Sequence, residues 1–224
     1  MSADILQPQA PSKARLSIES PNWSFEPFWP GIRLIATVVR GSVTLTDDEG
    51  AEVTPAHAEA VAVLADAIYA ETAAVDGIWT AQPFLGAASA ERREAMLEEE
   101  SEEQVEIDLL QLETRRAFVA VDLLELDGTS LLDVPYQERR RLLGSVVRED
   151  GHVRVTPAVK VPVNSWFMAW RTNGFQQAVA KQVNSRYLPG RINSDWVIVP
   201  LRAELPRATT RLVWKGRKTK QITD

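Results

Sequence analysis

The segment FEPFWPGIRLIATV, residues 25–38, sets two apolar runs on either side of a Pro-Gly pair, with Arg33 directly after it. Proline presets φ for the first central position of a turn, and glycine accepts the positive φ that a type II turn needs next. The run IRLIATVV that follows is rich in β-branched residues and predicts a strand. Arg40-Gly41 and then SVTLT predict a turn and a further strand. The stretch therefore predicts a tight corner in an antiparallel sheet, with Phe28 and Trp29 at the bend.

Working outward, residues 22–46 predict strand, turn, strand, turn, strand. Thr54 has the chemistry of an N-cap, Pro55 suits the first helical position, and AHAEAVAVLADAIYA (56–70) carries an apolar stripe at helical spacing. TAAVDGIWTAQPFL (72–85) predicts two short strands around the turn dipeptide Asp76-Gly77. AFVAVDLLELDG (117–128) predicts a buried strand entering a turn, and PYQERRRLLGSVV (135–147) an amphipathic helix with a proline start. HVRVTPAVKVPV predicts strands broken by prolines, and SWFMAWRTNG a helix closed by Gly174. FQQAVAKQV and WVIVPL predict strands around the loop NSRYLPGRINSD, and TTRLVWKG one more. Many short strands with a few helices define an α+β class built on antiparallel sheets.

Composition narrows the chemistry. With 224 residues the chain can bury a large core. It has no cysteine and only two histidines, His57 and His152. That excludes disulfides, thiolate catalysis and cysteine-held zinc, argues against a Ser-His-Asp triad, and favours the cytoplasm. No run of about 18 apolar residues appears, so no membrane-spanning helix is expected.

The net charge of −6 conceals an asymmetry. Residues 171–224 carry 11 Lys and Arg against 3 acids, whereas residues 1–170 carry 14 against 28. A basic face of this kind suits a polyanion such as nucleic acid, although charge also drifts along many sequences without consequence. Residues 89–113 hold ten acids and two arginines, the pattern of a solvated charged helix or insertion, or of a docking tract for a basic partner.

Several of these segments, taken together and in order, resemble the nucleotidyltransferase (adenylation) domain of ATP-dependent DNA ligases. Glu26-Pro27-Phe28-Trp29-Pro30-Gly31-Ile32-Arg33 resembles the family's first motif. AFVAVDLLELDGTSLLDVPYQERRRLL resembles its third motif and the helix beyond, and AVAKQVNSRYLPGRINSDWVIVPL its fourth and fifth. The resemblance covers about residues 20–202. It implies an ATP-grasp-like domain of two antiparallel β-sheets flanked by helices. Residues 1–20 are then expected to be a loose N-terminal leader, 21–202 the ligase-like domain, and 203–224 a basic tail. About two dozen residues follow the fifth motif, too few for an OB-fold, so no such barrel is expected.

The resemblance also marks what has changed. The family's nucleophilic lysine, whose amine takes up AMP, corresponds to Phe28, and a benzyl group has no lone pair to attack with. A family aspartate corresponds to Pro30, and a ribose-contacting acid to Ile78. The adenine-stacking phenylalanine corresponds to Val121, a metal-organising glutamate and its glycine to Gln176-Gln177, and two phosphate-clamping lysines to Ile198 and Pro200. Of the residues closest to nucleotide-binding roles, Glu26, Arg33 and Lys181 remain. Asp122, Leu123, Leu124, Asp127 and Gly128 keep the strand and turn. Stacking, ribose and phosphate contacts are each worth about 1–3 kcal/mol, so tight ATP binding in the family's manner is not expected. No metal site assembles from the motif positions.

Three readings follow. One is a catalytically inactive, ligase-like pseudoenzyme that binds DNA or a DNA-repair partner through Arg186, Arg191, Arg207, Arg211, Lys215, Arg217, Lys218 and Lys220. Tyr187, Trp196 and Trp214 are interleaved with these cations. On this reading no cofactor is needed. The second is a divergent ATP-dependent ligase using ATP and Mg²⁺ in repair or recombination. The third is an interaction module that docks through residues 89–113.

Overall fold

The computed structural model describes residues 6–13, 20–81 and 115–201. The acidic tract 89–113, the predicted strand TTRLVWKG and the tail 203–224 lie outside them.

Two sheets stack face to face, with helices on both outer sides. The six-stranded sheet has the order β4-β3-β5-β6-β7, with β8 also on β6. Its strands are β3 (Ile32–Val39), β4 (Ser42–Thr46), β5 (Thr72–Thr80), β6 (Ala117–Leu126), β7 (Thr129–Ser130) and β8 (Val153–Val155). The four-stranded sheet has the order β1-β10-β9-β2, formed by β1 (Ala10–Lys13), β10 (Ile192–Pro200), β9 (Gln177–Gln182) and β2 (Trp23–Pro27). Both are antiparallel at their centres. Each also carries one parallel neighbour, β1 on β10 and β8 on β6, which the expectation of purely antiparallel sheets did not include.

Strand alternation sends successive side chains to opposite faces, and the three apolar clusters follow from it. Leu34, Ala36 and Val38 of β3 point outward to meet α1 (Ala58–Ala65) and α2 (Tyr136–Val146) through Leu64 and Leu143. Phe25, Ala178, Ala180 and Val197 form the outer face of the smaller sheet, under Trp170 of α3 (Asn164–Thr172). Ile35, Ala74 and Leu124 meet Tyr187 and Trp196 between the sheets.

Local chemistry explains most boundaries. Arg40-Gly41 (φ 47°, 81°) and Asp127-Gly128 (φ 46°, 76°) close the β3–β4 and β6–β7 hairpins as two-residue turns with both central φ positive. Gly174 (φ 86°) ends α3 as expected: its N–H reaches Arg171 O and that of Phe175 reaches Trp170 O, satisfying the last carbonyls. At the start of α2, Tyr136 N and Gln137 N donate to Ser185 O and Val183 O, so the residues after β9 cap this helix.

Four expectations change. Phe28–Gly31 does not turn a hairpin; it carries the chain from one sheet to the other, since β2 and β3 belong to different sheets. Gly31 (φ 147°) is needed because a Cβ there would stand 2.5 Å from Trp79 O. Asp76-Gly77 is no turn either. It lies inside β5, where Asp76 is a buried acid and Gly77 leaves room for the Phe118 ring. Thr54 does not cap α1. Its Oγ1 accepts Leu45 N–H at 2.9 Å, a short 3₁₀ turn spans Thr54–His57, and α1 begins only at Ala58. The leader is not loose over its described part, because Ala10–Lys13 forms β1 and Gln9 is buried.

Two glycine substitutions test the packing. Gly77→Ala would drive a methyl into the Phe118 ring and cost about 1–3 kcal/mol of unfolding free energy. Gly144→Ala, in an open stretch of α2 with nothing within 4 Å, should instead stabilise by about 0.5–1 kcal/mol. Chemical denaturation of both variants reads the two opposite signs.

Candidate functional site

Between the sheets, at the end marked by Phe28, lies a small cavity lined by Pro11, Glu26, Phe28, Arg33, Lys181 and Trp196, with Ile78, Val121 and Val179. The inner row of the smaller sheet supplies Glu26 (β2), Lys181 (β9) and Trp196 (β10). The larger sheet supplies Arg33 (β3), Ile78 (β5) and Val121 (β6). The space a water's centre can occupy is about 30 Å³, room for about two waters.

The three residues singled out for nucleotide contacts do come together here, but each is already engaged within the fold. Lys181 is 2% exposed. Its ammonium sits 3.0 Å from Glu26 Oε2, donates to Val121 O at 2.9 Å, and lies 4.1 Å from the Trp196 ring centroid. Glu26 also accepts the Tyr136 hydroxyl proton in a short hydrogen bond. Arg33 gives Nε and Nη2 to the two Asp76 oxygens at 2.5 and 2.6 Å. Tyr187 OH donates to Asp76 at 2.7 Å and accepts Gln9 N–H at 2.9 Å. Behind them Arg139 makes a two-pronged pair with Asp122 at 2.8 Å and reaches Val134 O and Ser185 O.

Three cations thus face three carboxylates across the join, and charge balance lets the group be buried. Burial opposes the charge on Arg33 and on Arg139, but the adjacent Asp76 and Asp122 outweigh it and hold both guanidiniums protonated. Burial, reinforced by Glu26 and by Asp76 respectively, pushes the Tyr136 and Tyr187 phenols well above their ordinary range.

The altered motif positions follow the same geometry. Phe28 ends the β2 ladder with its N–H on Gln177 O, lines the cavity and is an exposed residue. Ile78 and Val121 are buried lining residues, Ile198 is half-buried on the inner face of β10, and Pro200 and Gln176 are exposed. Among the described residues, no group of three His, Asp or Glu side chains is placed to hold a metal ion.

Of the predicted surface cations, Arg186 is exposed beside Asp133 at 3.3 Å, and Arg191 is exposed on the loop into β10. Arg207, Arg211, Lys215, Arg217, Lys218 and Lys220 lie outside the described residues, as does Trp214. Tyr187 and Trp196 are not surface residues: each is 1% exposed and they pack edge to face between the sheets. The residues that sequence reasoning missed are Gln9, Asp76, Tyr136 and Arg139. Each stands in a segment whose local signal, whether leader, turn or helix, gave no reason to expect a buried partner.

Stacked sheets with this inter-sheet cleft define a nucleotidyltransferase domain of the ATP-dependent ligase type. Residues 3–199 match the family described as the ATP dependent DNA ligase domain, and the chain belongs to that family. It is 29% identical over 180 residues to the multifunctional non-homologous end joining DNA repair protein LigD of Mycobacterium tuberculosis H37Rv. That match covers 80% of this chain and 22% of LigD. It is 24% identical over 197 residues to DNA ligase C1 of Mycolicibacterium smegmatis, covering 85% of this chain and 56% of the ligase. The crystal structure of the M. tuberculosis LigD ligase domain superposes with a TM-score of 0.66 at 26% identity, over 89% of this chain and 61% of that one. The chain thus spans about a fifth of the length of LigD.

Two measurements probe the buried charges. Lys181→Met leaves Glu26 buried without its cation and should cost about 3–5 kcal/mol in denaturant unfolding. The phenol shifts predict alkaline behaviour. Both tyrosines stay neutral in the fold but ionise freely once unfolded, near pH 10. Their contribution is therefore full below about pH 10 and declines as pH rises further. The decline in unfolding midpoint should be shallower in the Tyr136→Phe/Tyr187→Phe double variant.

Proposed function

We propose that this ligase-like nucleotidyltransferase domain does not form an adenylate and instead binds DNA as a pseudoenzyme. The observation carrying this reading is the commitment of the retained cations. Lys181 and Arg33 hold Glu26 and Asp76 of their own fold, and the resemblance of the first motif gives Phe28 the place of the family's nucleophile. A nucleotide entering this cleft would have to displace those carboxylates. The residues present do not fit ATP with its metal ion, and no step is derived through either.

DNA is the ligand favoured by kinship with LigD, which is named for DNA repair, and by the excess of 11 cations over 3 acids in residues 171–224. Such cations bind phosphates without reading sequence. Arg171, Arg186 and Arg191 are the members of that set on the described surface, the last two on the segment between β9 and β10.

Incubation with labelled ATP and Mg²⁺ or Mn²⁺ should leave no stoichiometric, heat-stable AMP on the protein; such an adduct refutes the inactive reading. Nicked-duplex affinity should fall linearly on a log–log plot against salt. Arg186→Ala/Arg191→Ala should reduce that slope by about 2 if each contacts one phosphate. Absence of binding even at low salt would discard DNA as the ligand.

A further inference from the structure

Phe28 is conspicuous for being exposed and rigidly held at once. Its backbone N–H is bonded to Gln177 O at 3.0 Å, the last rung between β2 and β9. The next residue, Trp29, is anchored by its indole N–H on Thr156 Oγ1 at 2.8 Å and by edge-to-face packing on Phe175, with centroids 4.8 Å apart. The chain is therefore fixed at Phe28 and at the residue after it, while Phe28 lines the cavity and the residue as a whole is 37% exposed. Pro27, Ile78 and Val121 are apolar side chains that line the cavity beside it.

The charge around this ring suits an anionic ligand. Among the described residues Glu26 is the one carboxylate lining the cavity, and it is already bonded to Lys181 and Tyr136. Arg33, also lining, has a side chain 24% exposed, and its pairing with Asp76 uses Nε and Nη2 but not Nη1. At the far edge of the sheet β1 sets the exposed Lys13 in register with Ile198. Ile198 is in turn in register with Val179, and Val179 with Glu26, two residues before Phe28. Three strand spacings separate β1 from β2, about 14 Å, a distance that an extended single strand bridges within a few nucleotides.

We propose that Phe28 is a stacking platform for an unpaired nucleobase, with Lys13 contacting the phosphate backbone of the same strand. The site would take single-stranded or overhanging DNA ends. This rests on the DNA-binding reading above and adds to it where the unpaired strand sits. A base presents a flat π-face whatever its identity, so an exposed aromatic beside cations binds it with little sequence preference. An aliphatic side chain from a protein partner would use the same apolar lining, but it would draw nothing from Lys13 or Arg33.

The test uses the full chain, a duplex with a short single-stranded overhang, and the matching blunt duplex. Phe28→Ala should weaken overhang binding about five-fold or more and leave blunt-duplex binding unchanged. Phe28→Trp should retain overhang affinity, and Phe28→Leu should behave like Phe28→Ala. Lys13→Ala should lower the salt slope for the overhang by about one. Unchanged thermal melts establish that the variants fold. Equal overhang binding by wild type and Phe28→Ala, with both still binding DNA, overturns the platform alone. Full retention by Phe28→Leu also overturns it, and points to an apolar protein side chain as the occupant. A wild-type protein that binds neither DNA overturns the platform together with the DNA-binding reading.

Discussion

Lys181 stands between the two sheets with its ammonium on Glu26, its proton on the Val121 carbonyl and its charge over the Trp196 ring. Strands β2, β6, β9 and β10 all contribute to that one environment, so the position of each sheet relative to the other is written into it. Such a buried ion has a large desolvation cost, which only well-formed partners offset. Arg33–Asp76 and Arg139–Asp122 repeat the arrangement further along the join, and Tyr136 and Tyr187 supply the hydroxyls that complete it. Apolar contact between the sheets is modest by comparison, formed mainly by Ile35, Ala74, Leu124, Tyr187 and Trp196. A charged seam is directional where apolar packing is not. It therefore sets the register of one sheet on the other.

The same seam holds the family's cleft together whatever chemistry the cleft performs. Of the positions that the resemblance marks as altered, Phe28, Ile78 and Val121 line the cleft and Ile198 lies on the inner face of β10. The retained ionic residues are those with a structural partner. Retention of Glu26, Arg33 and Lys181 is thus accounted for by folding alone, because removing one member would strand a buried opposite charge. The polar atoms of Glu26 and Lys181 face one another, whereas Arg33 keeps part of its guanidinium exposed beside its pairing with Asp76.

Much of the architecture was legible because its signals are local. The β-branched run at 32–39, the Arg40-Gly41 and Asp127-Gly128 turns, the buried strand at 117–126 and the Gly174 helix stop each depend on residues adjacent in the chain. Where reading failed, a distant partner had overridden a local preference. Asp76-Gly77 has the composition of a turn, yet Arg33 and Tyr187 engage the acid and the Phe118 ring needs the glycine's missing Cβ. Thr54 has the chemistry of a cap, yet Leu45 N–H takes its hydroxyl oxygen. Gln9, in a stretch of leader composition, is buried because Leu188, Asn193 and Tyr187 all bond it.

The amino-acid order by itself determined the fold class, the family, most strand and helix positions, and the absence of an amine at residue 28, since each is a property of side-chain type and short-range spacing. Only the tertiary structure decided that β2 and β3 serve different sheets, that Tyr187 and Trp196 face inward, and that Lys181 and Arg33 have carboxylates of their own to hold. Those outcomes depend on which residues meet across separations such as the 155 positions between Glu26 and Lys181. Electrostatic pairing at that range is settled by the packing of whole sheets.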